Sequence, residues 1–221
     1  MLQKSTLKFL LDIKDNNNKA WLDANRHVFD AAKADFEQMV TEIIEGLGKS
    51  DEEIAMLTAK ECVFRQNRDV RFSKDKSPYK INMGASIDRG GKKSGFAGYY
   101  FHCEPGNNSM IGGGLWQPPA DALKKVRQEI DYCFDEFKSI TNNKDFKKQY
   151  GDLQRGEFAL SREPKGYEKD NPAIEYLKLK SFVAMHPLTD AELTSKGVAD
   201  KIITGFKSLT PLIKFINRAL E

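Results

Sequence analysis

The chain has 221 residues, with 35 Lys+Arg against 32 Asp+Glu for a net charge of +3, and 40% of its residues are hydrophobic and 30% charged. That balance excludes wholesale disorder, and 16 Gly and 8 Pro without a repeat or heptad exclude collagen, coiled-coil and low-complexity architectures. The length suits one domain with a core that needs no staples, so residues 1–221 are read as a single unit.

Lys4 and Lys8 precede only a short apolar stretch, Phe9-Leu10-Leu11, before Asp12. A signal peptide needs roughly 7–15 apolar residues and a small-residue cleavage site, and no run approaches the ~20 residues that span a bilayer. No membrane partner is expected. Cys62, Cys103 and Cys133 are widely spaced and form no CxxC pair, which fits buried thiols in a reducing compartment. The expected location is cytoplasmic.

The first third reads helical. Ser5 or Thr6 can cap a short helix carrying Leu7, Leu10 and Leu11 on one face, and Asp15-Asn16-Asn17-Asn18 ends it. From Trp21, taken as a core anchor, Leu22, Phe29, Ala32, Phe36, Val40, Ile43 and Leu47 recur at helical spacing, closed by Gly46 and Gly48. The middle third reads as strands, at residues 56–64, 81–87, 96–104 and 110–116. In the third of these Tyr99, Phe101 and Cys103 alternate with Tyr100, His102 and Glu104. Short connections, including the turn Pro105-Gly106-Asn107-Asn108, predict an antiparallel meander. A long helix opens at Pro118-Pro119 and carries apolar positions to Phe137. Beyond it come a loop at 161–172, a strand at 181–185 and helices at 190–209 and 211–220. Strands gathered mid-chain, between N- and C-terminal helices, give an α+β fold.

One segment stands out by charge. Residues 64–80 hold six basic side chains (Arg65, Arg68, Arg71, Lys74, Lys76, Lys80) and two acids (Asp69, Asp75), a local net of +4, so the rest of the chain sums to −1. A confined excess of this kind marks a candidate anion site rather than a generally basic surface. Arginine forks suit phosphate or carboxylate, and Asp69 can orient them. Phe72 is expected to pack inward, which in an extended chain turns Arg71 towards a pocket mouth. Against this stands a structural alternative, in which an Arg–Asp network simply ties a loop to a sheet.

Arg65, Arg68-Asp69, Arg71-Phe72, Lys76 and Pro78-Tyr79 fill every fixed position of R-x-x-R-D-x-R-F-x-x-x-K-x-P-Y. The pattern resembles the signature of the domain-of-unknown-function 2461 family, bacterial proteins of about this length with fungal relatives. The resemblance extends to Gly98-Tyr99-Tyr100-Phe101-His102, to Gly112-Gly113-Gly114-Leu115-Trp116-Gln117-Pro118 and to Arg162-Glu163-Pro164-Lys165-Gly166-Tyr167. It brings no activity, cofactor or catalytic residue with it. It implies a single folding unit and singles out the same segment as the charge count.

Weaker signals complete the set. His102 shares a strand face with Tyr100 and Glu104, where acid–base work near neutral pH is available to it. No HxxH, HExxH or Cys/His cluster occurs, so no metal site is expected, and the sequence names no cofactor. Gly112-Gly113-Gly114 reads as a close approach of sheet to helix rather than a phosphate loop. The loop bearing Arg162 and Lys165 is either a second part of the pocket or a surface connection.

The leading expectation is therefore a protein that binds a small phosphorylated or carboxylated ligand, with an enzymatic role left open. Arg65, Arg68, Arg71, Lys76, Lys80, Tyr100, Arg162 and Lys165 are the candidate binding residues, and His102, Tyr79 and Asp69 the candidate catalytic ones. A nucleic-acid module, with Phe72, Tyr79, Tyr99 or Tyr100 as stacking faces, is the weaker alternative because the pI of about 8.6 is modest and the basic residues are confined. A scaffold protein is the third. No pattern in the sequence encodes an oligomeric state.

Overall fold

The computed structural model describes residues 1–221. Its strands are β1 (Met83–Asp88), β2 (Gly98–Cys103), β3 (Ser109–Leu115) and β4 (Phe182–Leu188). They form one antiparallel sheet in the order β1-β2-β3-β4. Before the sheet come α1 (Lys4–Asp15), α2 (Lys19–Ala24), α3 (Arg26–Gly48), α4 (Glu52–Ala55) and α5 (Ala59–Cys62). Between β3 and β4 lie α6 (Ala120–Tyr132), α7 (Phe134–Thr141), α8 (Lys144–Tyr150) and α9 (Ile174–Leu177); α10 (Asp190–Leu193) and α11 (Val198–Leu220) follow. The α+β class, with a central meander between N- and C-terminal helices, is borne out.

The chain gathers into two compact units. The first comprises residues 1–93, 100–111 and 187–204. Phe9, Leu10 and Ile13 of α1 and Phe36, Val40 and Ile43 of α3 are fully buried there, and Phe36 stacks on Phe101 of β2 at 5.3 Å. Each such side chain contributes about 1.5–3 kcal/mol of burial. The second unit comprises residues 94–99, 112–186 and 205–221. In it Tyr99 tilts onto Phe206 at 5.1 Å and shares a 2.9 Å hydrogen bond with Thr210 of α11. Phe137 and Phe215 meet at 5.3 Å in the same core.

Several expected elements differ. Residues 56–64 are not a strand: Thr58 and Glu61 form a capping box that starts α5, and only Val63 joins the sheet, as a bridge to Ala85. The long helix expected from Trp21 is interrupted at Asn25, and the one expected from Pro118 is interrupted at Cys133. α11 runs straight through Pro211, because its apolar stripe of Leu209, Leu212 and Ile216 continues to bury. The break falls earlier, at residues 194–197, after the Thr189–Glu192 capping box of α10. Leu11 faces solvent, and Trp21 is only half-buried, stacked on Phe9 at 6.3 Å. The glycine run on β3 does mark a close approach: a Cβ on Gly113 would lie 3.1 Å from Leu209.

Candidate functional site

The basic segment belongs to the first unit and leaves and rejoins the sheet at the edge strand β1. Val63 pairs with Ala85 and Asn67 with Tyr79, both antiparallel. Phe64 N donates to Gly84 O, Lys80 N to Gln66 O and Arg68 N to Pro78 O, each at 2.9 Å. The result is an irregular two-stranded ribbon with a tip at residues 69–77. Asn17 fastens its returning arm. Its Nδ2 donates to the Tyr79 carbonyl and its Oδ1 accepts from the Tyr79 N–H, both at 3.0 Å. Tyr79 itself is 7% exposed, so it packs rather than faces a ligand.

At the tip, three of the candidate binding residues are engaged by the loop. Arg68 pairs with Asp75 and donates to the Ser77 carbonyl at 3.1 Å. Arg71 donates to Asp69 from Nε at 2.9 Å and Nη2 at 2.7 Å, and Lys76 donates to the Val70 carbonyl at 3.0 Å. The Ser77 hydroxyl and N–H, followed by Arg68, bring the Asp75 carboxyl down to about 2. Arg71 likewise holds Asp69 below its ordinary value. Phe72 is 96% exposed, the reverse of the inward packing expected. The alternation of an extended strand does not apply here, because residues 71–72 form a bend closed by Asp69 and Arg71.

A different set converges on the outer row of β2. Tyr100, His102 and Glu104 are half-buried and consecutive on one face, as the alternation predicted. Tyr100 Oη lies 3.1 Å from His102 Nδ1, and His102 Nε2 lies 3.0 Å from Glu104 Oε2. Glu104 accepts only, so it assigns the ring proton to Nε2 and leaves Nδ1 to accept from the phenol. Burial and then the Glu104 charge push the Tyr100 phenol above its usual range. Gly84 of β1 makes room for that hydroxyl, since a Cβ there would sit 2.9 Å from it. Phe64 meets Tyr100 edge-on at 6.4 Å, and the Lys80 ammonium stands 5.2 Å from the centre of the Phe64 ring. Burial, and then the charge of Arg65, hold Lys80 below the ordinary lysine value. Lys80 has no carboxylate partner, and Arg65 is in ion-pair contact with none, although its charge helps to lower Asp69.

Of the expected site residues, the fold thus sets Tyr100 beside His102 and Lys80 against the Phe64 ring that meets Tyr100, with Arg65 in the field of Lys80, and commits Arg68, Arg71, Lys76 and Asp69 to the ribbon's tip. Arg162 and Lys165 belong to the second unit and are exposed, flanking a turn in which Tyr167 N donates to Pro164 O at 3.2 Å. Phe64 and Gly84 were not singled out by the sequence. Their roles come from pairing across the sheet edge, which no local pattern reveals.

Residues 5–215 match the family described as conserved hypothetical protein (DUF2461). The chain belongs to this family. Membership covers the ribbon and the Tyr100–Glu104 row alike, and also the Arg162–Tyr167 turn of the second unit. No curated protein and no solved structure matches the chain.

Proposed function

We propose that the protein binds a small phosphorylated or carboxylated ligand on the outer face of β2, between the base of the ribbon and the Tyr100–His102–Glu104 row. The observation that carries this is the Arg65–Lys80 pair, two like charges held within each other's field, with Lys80 half-withdrawn from water and beside no carboxylate, and the exposed Arg65 in ion-pair contact with none, only within the field of Asp69. Charges removed from water are ordinarily paired. An anion supplies the missing partner, and the Tyr100 hydroxyl reaches it by turning its single proton from His102 Nδ1 to the ligand. His102, oriented by Glu104, can take a proton from the phenol or return it, so the same site suits a ligand that must gain or lose a proton. The three cysteines are free, and burial pushes the Cys62 and Cys103 thiols to about 12, which supports structural thiols and a cytoplasmic setting.

The test is thermal unfolding with inorganic phosphate, sugar phosphates, nucleotides and dicarboxylates. Wild type should be stabilised by at least one class, as mass action requires. Lys80→Met keeps the apolar stem against Phe64 and removes the charge, so the unliganded protein should be as stable or more so while the response disappears. No response of the wild type to any anion would leave the structural network as the surviving reading of the segment.

A further inference from the structure

The ribbon's tip is built to hold one aromatic ring in water. Arg68 ties Asp75, the Ser77 carbonyl and the Ser73 hydroxyl together, Arg71 closes on Asp69, and Lys76 reaches back to the Val70 carbonyl. The frame these bonds make leaves Phe72 96% exposed, by a wide margin the most exposed phenylalanine in the chain. The Arg71 guanidinium lies 5.8 Å from the centre of its ring, a cation against the π system. Asp69 and Asp75 are taken up by Arg71 and Arg68, which leaves Lys74 and Lys76 at the tip without a carboxylate partner.

We propose that this tip binds single-stranded nucleic acid, with a base stacked on the Phe72–Arg71 pair and the flanking phosphates on Lys74 and Lys76. A ring braced beside a guanidinium offers a stacking platform that accepts any base, and lysines beside it that no carboxylate neutralises match a polyanion. An anionic membrane would also attract these lysines, but it fits the geometry less well. Sinking Phe72 to the acyl boundary, some 5–10 Å deep, would carry the largely exposed carboxylates of Asp69 and Asp75 into the headgroup layer. Stacking uses the ring and leaves both carboxylates in water. The proposal does not depend on the site at Arg65 and Lys80.

Fluorescence anisotropy with labelled single-stranded DNA and RNA of about 15 nucleotides tests it. Phe72 and Lys74 are exposed and outside the frame, so Phe72→Ala and Lys74→Ala should fold as the wild type does, checked by their unfolding midpoints. Wild type should bind with an affinity that falls with salt. Phe72→Ala should weaken binding roughly 5- to 100-fold, and Lys74→Ala should reduce the salt slope by about one. Absence of binding at low salt, or binding unchanged by Phe72→Ala, would overturn the proposal. So would Phe72-dependent sedimentation with phosphatidylserine vesicles by a protein that ignores both oligonucleotides.

Discussion

Arg71 grips Asp69 with two nitrogens of its guanidinium, yet the pair stands in water, with side chains 77% and 47% exposed. An exposed ion pair of this kind shapes a loop without adding measurably to global stability. Arg68 is placed differently. Its side chain is 26% exposed, and one terminal nitrogen serves both Asp75 and the Ser77 carbonyl, which closes the tip. Arg71→Ala should therefore leave the urea midpoint unchanged, while Arg68→Ala should cost about 1–2 kcal/mol, the usual loss when a charged donor leaves a backbone acceptor. A larger loss for Arg71→Ala than for Arg68→Ala would mean that the tip is held by other bonds than these.

Asp88, at the end of β1, supplies a pH-dependent term. It is 8% exposed and its two oxygens share the Ser86 hydroxyl, at 2.8 and 2.9 Å, with no cation beside them. Burial raises its carboxyl to about 7. A carboxyl raised on folding binds its proton more tightly in the native state, so its stabilising contribution is complete below the unfolded value of about 3.9 and is lost as pH rises through about 7. The slope is at most about 1.4 kcal/mol per pH unit across that window. Asp88→Asn should remove it. Denaturant unfolding of both proteins in steps from about pH 4 to 8 should show wild type losing ground to the variant as pH rises. A difference that stays flat would show that Asp88 is ionised throughout.

What was legible in the sequence followed from local periodicity. The alternation from Tyr99 to Glu104 placed Tyr100, His102 and Glu104 on one face, because a half-buried strand writes its two environments residue by residue. The Thr58–Glu61 box was equally present in the sequence but was outweighed by the apolar residues around it. Pro211 suggested a break where tertiary burial of α11 overrides the lost hydrogen bond. The division of the basic segment was not legible at all. Which arginines meet Asp69 and Asp75, and which stay free, is decided by how residues 69–77 close, and the same closure turns Phe72 outwards.

Two glycines of the second unit separate steric from conformational need. Gly114 of β3 has φ +122°, and a Cβ there would fall 1.9 Å from the Phe182 carbonyl oxygen on β4. Backbone cannot yield as a side-chain tip can, so Gly114→Ala should cost about 3 kcal/mol or more, from strain and overpacking together. Gly166 has φ +92° but nothing within 4 Å of its missing Cβ. Gly166→Ala should cost only about 1 kcal/mol, the conformational part alone. Similar losses at both positions, measured by denaturant unfolding, would remove close strand packing as the reason for the β3 glycines.

Gly84 tests whether the position of the Tyr100 hydroxyl matters, and not only its presence. Its missing Cβ would lie 2.9 Å from that oxygen, so Gly84→Ala must push the phenol off His102 Nδ1 while leaving His102 Nε2 on Glu104. Nitrogen NMR of the imidazole reads this directly: Nε2 should stay protonated and the Nδ1 resonance should move. Tyr100→Phe should move it in the same way, since both variants exchange the phenol for water. If the phenol turns its single proton from His102 Nδ1 to the anion of the proposed site, either substitution should weaken binding of the anion that stabilises wild type by roughly 10- to 100-fold, the cost of one hydrogen bond to a charged group. The two effects should also match in size, because each removes the same contact. A full anion response in Tyr100→Phe would take Tyr100 out of the site. A loss in Tyr100→Phe with none in Gly84→Ala would show that the hydroxyl reaches the ligand from a position other than the one over Gly84.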